Sequence, residues 1–273
     1  MKSFSYIVFI LLLAGAGAYY YFQLDKAREQ ETRAIPTAPL QVPEDETPEI
    51  LHPVPESLVM MGDATEETQA ETEPEEPLPP LMESDDRIRE IISGMFDNDL
   101  VKQMVQQTGL IHRFVLTIDS LPSDKVPIKY RLFPTTSGKF LVQTDASDKI
   151  LVDPENFARY DAYMQLLDKL DTEQFAKWYT RYYPLIQEEY DALGYKSRYF
   201  NDRFISVIDH LLETPDLTGP IELVQPNVFY NFADPALQEL SAGQKILLRI
   251  GPANRKRVQA KLIEIRKALA SPQ

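Results

Sequence analysis

Three unlike patterns of apolar and polar positions follow one another along the chain. From Tyr6 to Phe22 no residue is charged, and Phe4 and Ser5 extend the run to nineteen positions. As a helix rising ~1.5 Å per residue it is about 28 Å long, close to the ~30 Å hydrocarbon thickness of a bilayer. A helix satisfies its own backbone polar groups, so such a run can span. Tyr19, Tyr20, Tyr21 and Phe22 gather at one end, where amphipathic rings favour the membrane–water boundary. The pattern predicts a transmembrane helix over 4–22, within an N-terminal anchor region 1–33. A cleavable signal peptide is the competing reading, with small residues at Ala14-Gly15-Ala16 or Ala16-Gly17-Ala18. The anchor is preferred because the aromatic run carries the apolar stretch past those sites. A very short amino-terminal tail before a long polar region matches a signal anchor with its amino end in the cytoplasm. The count of bases alone does not favour that orientation, since Lys26, Arg28 and Arg33 follow the span.

The second pattern, residues 34–83, has no sustained apolar period. It holds ten of the 21 prolines and only one glycine. Highly charged chain with little to bury does not offset the entropy of ordering, so a disordered linker is predicted. Proline and self-repulsion extend it to between roughly 40 and 150 Å. The apolar island Leu58-Val59-Met60-Met61 interrupts it and is read as compositional scatter, with a docking peptide as the sharper alternative.

From Ser84 the period becomes helical. Ser84 can cap a helix carrying Ile88, Ile91, Ile92 and Met95; Asn98 can cap a second with Leu100, Val101, Met104 and Val105, ending near Gly109; Leu110 to Ser120 continues the stripe. Lys139–Gln143 and Lys149–Val152 are short apolar runs around a polar turn and predict a β-hairpin. Asp153-Pro154 opens a helix. Asp171 and Gln174 have capping-box spacing before a helix running toward Leu193-Gly194 with a bend at Pro184. Another helix runs from about Asn201 to Glu213, Ile221–Val224 reads as a short strand, and Asp234-Pro235, Ser241–Gln244 and Gly251-Pro252 open the rest. The expected fold class is therefore mainly α: a multi-helix globular domain over 84–273 with a minor β-hairpin, preceded by a transmembrane helix and a disordered linker.

Charge sharpens this division. Of the net −14, residues 1–33 contribute four bases and three acids, residues 34–83 thirteen acids and no base, and residues 84–273 24 bases and 26 acids. The low pI belongs to the linker. Nucleic acid is not an expected partner, because that binding requires a cationic surface; the one dense basic cluster, Arg255-Lys256-Arg257, lies in a helix with acidic neighbours. The absence of cysteine removes thiol catalysis, disulfides, iron–sulfur clusters and a lipid-modified cysteine anchor.

Candidate chemistry is sparse. His52, His112 and His210 include no pair at metal-ligand spacing, and neither a nucleophile elbow nor a glycine-rich phosphate loop occurs. Gly243-Gln244-Lys245 reads as a helix start. His210 beside Asp209 reads as a local hydrogen-bonding histidine rather than a base. Asp202 and Asp209, seven apart, share a helix face, but carboxylates are too abundant here for that pair to be specific. No catalytic, cofactor-binding or metal residue is assigned. What stands out is thirteen aromatic residues between Phe157 and Phe204. Phe175, Trp178 and Tyr182 at helical spacing read as core. Tyr195, Arg198, Tyr199, Asn201, Asp202 and Arg203 mix rings with charge after a helix-ending glycine and form the candidate interaction surface, with fold-bracing hydrogen bonds as the plainer reading.

The segments PLPPLMESDDRIRE, LIHRFVLTIDSLP, DPENFARYDAY, YFNDRFISVIDHLLETP and FADPALQELSAGQKILLRIGP resemble an uncharacterised bacterial family, domain-of-unknown-function family 3014, over nearly all of 77–266. The resemblance implies a membrane-anchored protein with a variable acidic, proline-rich tether; it implies no activity. The expectation is a single-pass inner-membrane protein with its folded domain in the periplasm. That domain is read as a non-enzymatic module contacting an envelope protein or the cell wall. A wall-directed hydrolase using paired carboxylates and a tethered ligand-binding sensor or chaperone are the alternatives.

Overall fold

A computed structural model describes residues 49–55, 77–95 and 99–270, apart from 134, 135, 137 and 218. The expected membrane helix over 4–22 and the island at 58–61 lie outside the described residues. Among those described, no helix is long and apolar enough to cross a membrane.

The domain is mainly helical with a small antiparallel sheet. A 3-10 turn, Leu81–Glu83, leads into α1 (Ser84–Met95), followed by α2 (Asp99–Val105) and α3 (Leu110–Ser120). Gly109 takes φ +67°, a left-handed conformation that glycine adopts at little cost, and turns the chain into α3. The Asp85 carboxylate accepts from the amides of Gly109 (2.7 Å) and Leu110 (2.8 Å), so a side chain of α1 satisfies the start of α3. After β1 (Val142–Thr144) and β2 (Ile150–Val152) come α4 (Glu155–Ala158), α5 (Asp161–Asp168) and the long α6 (Thr172–Tyr190). Asp171 caps α6 by accepting from the Gln174 amide at 2.9 Å, as its spacing predicts. A π turn over Asp191–Tyr195 ends it, with Gly194 at φ +103°. Then follow α7 (Phe200–Leu212), β3 (Glu222–Val224), β4 (Asn231–Phe232), α8 (Pro235–Gln238), α9 (Ala242–Arg249) and α10 (Pro252–Leu269). Ser241 and Gln244 form a reciprocal capping box at the start of α9, which settles Gly243-Gln244-Lys245 as a helix start.

The hairpin expectation is too small. β1 and β2 pair antiparallel with Gln143 opposite Leu151, but β3 adds to β2 and β4 to β3, giving one sheet in the order β1-β2-β3-β4. β4 has two residues, too few to show alternation. Its Phe232 joins Val152, Leu223 and Leu248 in a small core between the sheet and α9.

The main core lies around α6, which packs against α3, α7 and α10. Ala176, Tyr179 and Ile186 are wholly buried on it, as are Phe200 and Ile208 on α7 and Leu269 on α10. Most of the aromatic density is therefore core. Tyr179 stacks on Phe175 at 6.0 Å and meets Phe204 at 5.7 Å. Arg255 of the basic cluster is buried and paired with Asp216, and Arg257 is paired with Asp168.

Of the stretch expected as linker, residues 49–55 and 77–83 are described, and both lie on the domain: Val54, Leu78 and Leu81 pack against the main core.

Candidate functional site

The site is built where α6 presents its polar edge to the start of α7. A helix leaves its first amides without partners inside the helix, and Tyr199, the cap position of α7, makes no side-chain cap bond. Side chains of α6 supply the acceptors. The Gln187 Oε1 accepts from the Phe200 amide at 2.8 Å, and the Tyr183 hydroxyl accepts from the Asn201 amide at 3.1 Å while donating to Gln187 Oε1 at 2.8 Å. Gln187 also donates to the Arg198 carbonyl and to Asp191, both at 2.8 Å. With the helix start satisfied from outside, Asp202 in its first turn is released for another partner.

That partner is the segment Glu49–Pro55. Asp202 accepts from two consecutive amides, Leu51 at 3.1 Å and His52 at 2.6 Å. Asn201 Nδ2 donates to the His52 carbonyl at 2.8 Å, and the Tyr199 hydroxyl accepts from the Val54 amide at 3.1 Å. All four contacts read main chain, and Val54 supplies the apolar anchor.

Asn201 is the centre of this arrangement. Its side chain is wholly buried. It accepts from the Tyr179 hydroxyl at 3.1 Å and donates to the Leu269 carbonyl at 3.1 Å as well as to His52. One side chain thereby joins α6, α7, the end of α10 and the docked segment. Burial pushes the hydroxyls of Tyr179 and Tyr183 far above the ordinary phenol value, so both stay protonated. Tyr190 is pushed up to about 12 by burial and by the nearby Asp119.

The six residues singled out in the sequence divide into two groups. Tyr199, Asn201 and Asp202 hold the segment. Arg203 and Tyr195 turn to α3: Arg203 donates to the Asp119 side chain and carbonyl, each at 2.8 Å, and Tyr195 donates to Asp119 at 3.3 Å. Arg198 is exposed, with its guanidinium 5.7 Å from the Tyr195 ring centre. Arg203 and Tyr195 thus brace the fold against α3, while Tyr199, Asn201 and Asp202 contact residues 51–54 of the same chain. Tyr183 and Gln187, which make the site possible, carry no marking in the sequence beyond their helical spacing.

Beside the segment lies a depression of about 360 Å³ lined by His52, Asp202, Asp209, His210 and Glu213 among others. Asp202 and Asp209 do face it together. Each already has partners: Asp202 holds the two amides, and Asp209 takes both Nε and Nη2 of Arg266, at 2.6 and 3.1 Å. His210 Nε2 lies 2.9 Å from the hydroxyl of Ser241, the cap residue of α9, so its hydrogen bond joins two helices rather than being local in the chain. Among the described residues no group of three or more His, Cys, Asp or Glu is placed to hold a metal ion.

The chain matches the family described as "Protein of unknown function (DUF3014)" over residues 110–266. It belongs to that family. The DUF3014 match opens at the first residue of α3 and ends within α10, so it contains Tyr183, Gln187 and the whole of Tyr199–Asp202. The docked segment 49–55 lies outside it. No curated protein and no solved structure matches the chain.

Proposed function

We propose that this DUF3014 protein is a membrane-anchored, non-enzymatic binding module of the bacterial envelope, whose folded domain clamps an extended peptide segment at the start of α7. The anchor rests on the sequence: an uncharged run over 4–22 with an aromatic border, ahead of an acidic, proline-rich stretch. On this reading the folded part faces the periplasm and its partner is an envelope protein presenting an extended, accessible segment.

The observation that carries the reading is Asp202 accepting from two consecutive backbone amides while Asn201 donates to the carbonyl between Leu51 and Val54. Recognition of main chain by fixed side chains is how extended peptides are bound with modest sequence preference. Charge-assisted bonds to a carboxylate are also stronger than neutral ones. In this chain the occupant is the protein's own residues 49–55, so a partner segment must displace it.

The test is a labelled peptide spanning residues 47–57, followed by fluorescence anisotropy with the full chain. In a Leu51→Pro, His52→Pro variant the resident segment loses both amides that Asp202 accepts. Binding of the peptide is expected to that variant, weakly or not at all to the unaltered protein, and not to the variant that also carries Asp202→Ala. Equal binding with and without Asp202 would remove the clamp.

A further inference from the structure

The hydrogen bonds of the clamp fall on some positions of the segment and spare others. Asp202 takes the amides of Leu51 and His52, Asn201 gives to the His52 carbonyl, and Tyr199 takes the amide of Val54. Positions 53 and 55 are prolines, which have no N–H to give. Proline at 51, 52 or 54 would cost the clamp a donor; at 53 and 55 it costs none. It also helps there. The ring fixes its own φ at about −65° and biases the preceding residue toward extended backbone. Pro53 and Pro55 therefore order the chain from His52 to Pro55 before it meets the domain. Val54, between them, packs against the main core, whereas the side chains of Ile50 and Leu51 are exposed.

The same pattern occurs a second time. Pro77-Leu78-Pro79, like Pro53-Val54-Pro55, carries neither helix nor strand, and Leu78 packs against the same main core. In both pieces a proline on each side presents one apolar side chain to the domain. Resting on the clamp proposed above, we infer that it selects a proline-rich segment of the pattern x-x-Pro-apolar-Pro. The first two residues give their amides to Asp202, and the apolar residue gives its amide to Tyr199 and its side chain to the core. The partner is thus a segment already biased to the polyproline II helix, whose low cost of ordering is what such recognition exploits. Residues 51–55 are the chain's own copy of that pattern.

The test keeps the full-chain Leu51→Pro, His52→Pro variant constant and changes the labelled 47–57 peptide, so the fold of the protein is the same in every arm. A peptide carrying Pro53→Ala and Pro55→Ala is expected to bind about tenfold more weakly than the parent, since each proline in a compatible conformation is worth roughly two- to fivefold through the disorder it removes from the free chain. Val54→Ser is expected to lose at least about tenfold with its apolar burial, and Val54→Pro at least about as much with its amide. Leu51→Ala, at an exposed side chain, is expected to stay within about twofold of the parent. If the parent binds and the doubly substituted alanine peptide, Val54→Ser or Val54→Pro matches it, the pattern is overturned while the clamp stands. So it is if Leu51→Ala costs about tenfold or more, since an exposed side chain would then be read. Binding by none of the peptides, the parent included, removes the clamp and the pattern together.

Discussion

Two adjoining patches of α6 use the same kind of residue to opposite ends. In one patch Tyr179 and Tyr183 lie in a closed polar network: each hydroxyl has a defined partner, Asn201 serves four neighbours, and the start of α7 is capped through it. In the adjoining patch Phe175 and Trp178 border the open space of an apolar cavity, and the indole N–H has no partner among the described residues. Aromatic density in a sequence therefore does not say whether a helix face will be filled. What decides is whether the facing helix offers a small polar side chain that satisfies the ring's hydroxyl, as Asn201 does, or only more carbon.

The largest way to break the closed patch is alkali. Tyr179, Tyr183 and Tyr190 have folded-state pKa values above the ordinary value of about 10. A raised pKa on a neutral acid means the unfolded chain gives up its proton first. The stability these phenols contribute is thus complete below about pH 10 and is lost as pH rises from there through the folded values, Tyr190 at about 12. Circular dichroism against pH should show cooperative unfolding in that window. Retained helix above pH 12 would mean these hydroxyls reach water.

Next comes Asn201→Ala. It strands the Tyr179 hydroxyl and the Leu269 carbonyl inside the core and also releases the His52 carbonyl, and each buried group left unpaired costs about 1–3 kcal/mol. Urea unfolding should report a loss of about 3–5 kcal/mol. A loss below about 1 kcal/mol would show that the network adds little. Smaller again is the contrast between two leucine-sized truncations. Ile186→Ala, at a wholly buried site on α6, should cost about 2–5 kcal/mol, whereas Leu167→Ala, on the cavity wall, should cost only about 1 kcal/mol because fewer contacts are there to lose. Equal costs would mean that the cavity is closed in solution.

Much of this was legible in the chain because caps and stops leave chemical marks. Asp171 with Gln174, Ser241 with Gln244, and Asp234 or Gly251 before proline each marked a helix start that the structure contains. Strand β4 left no mark, since two residues show no alternation. Docking of 49–55 left none either, for a different reason. Composition judged that acidic, proline-rich stretch, but the clamp reads its amides and one carbonyl, which every residue but proline carries in full. Asp202 belongs to the candidate interaction surface read from the sequence, and its pairing with Asp209 as a catalytic pair is set aside there because carboxylates are so abundant. Its carboxylate accepts hydrogen bonds from the main chain of Leu51 and His52. The cavity was equally silent, because Ile92, Val101, Phe114 and Trp178 form the same apolar stripe whether or not they meet.

The account turns on Asp202 holding the main chain of Leu51 and His52. Amide hydrogen exchange in the full-length protein reads those two positions directly. The account predicts exchange slowed at least tenfold relative to an unstructured peptide of the same sequence, and slowing lost in Asp202→Ala while the core amides of α6 stay protected. Exchange at the free-peptide rate in the unaltered protein, or protection that survives Asp202→Ala, would contradict it.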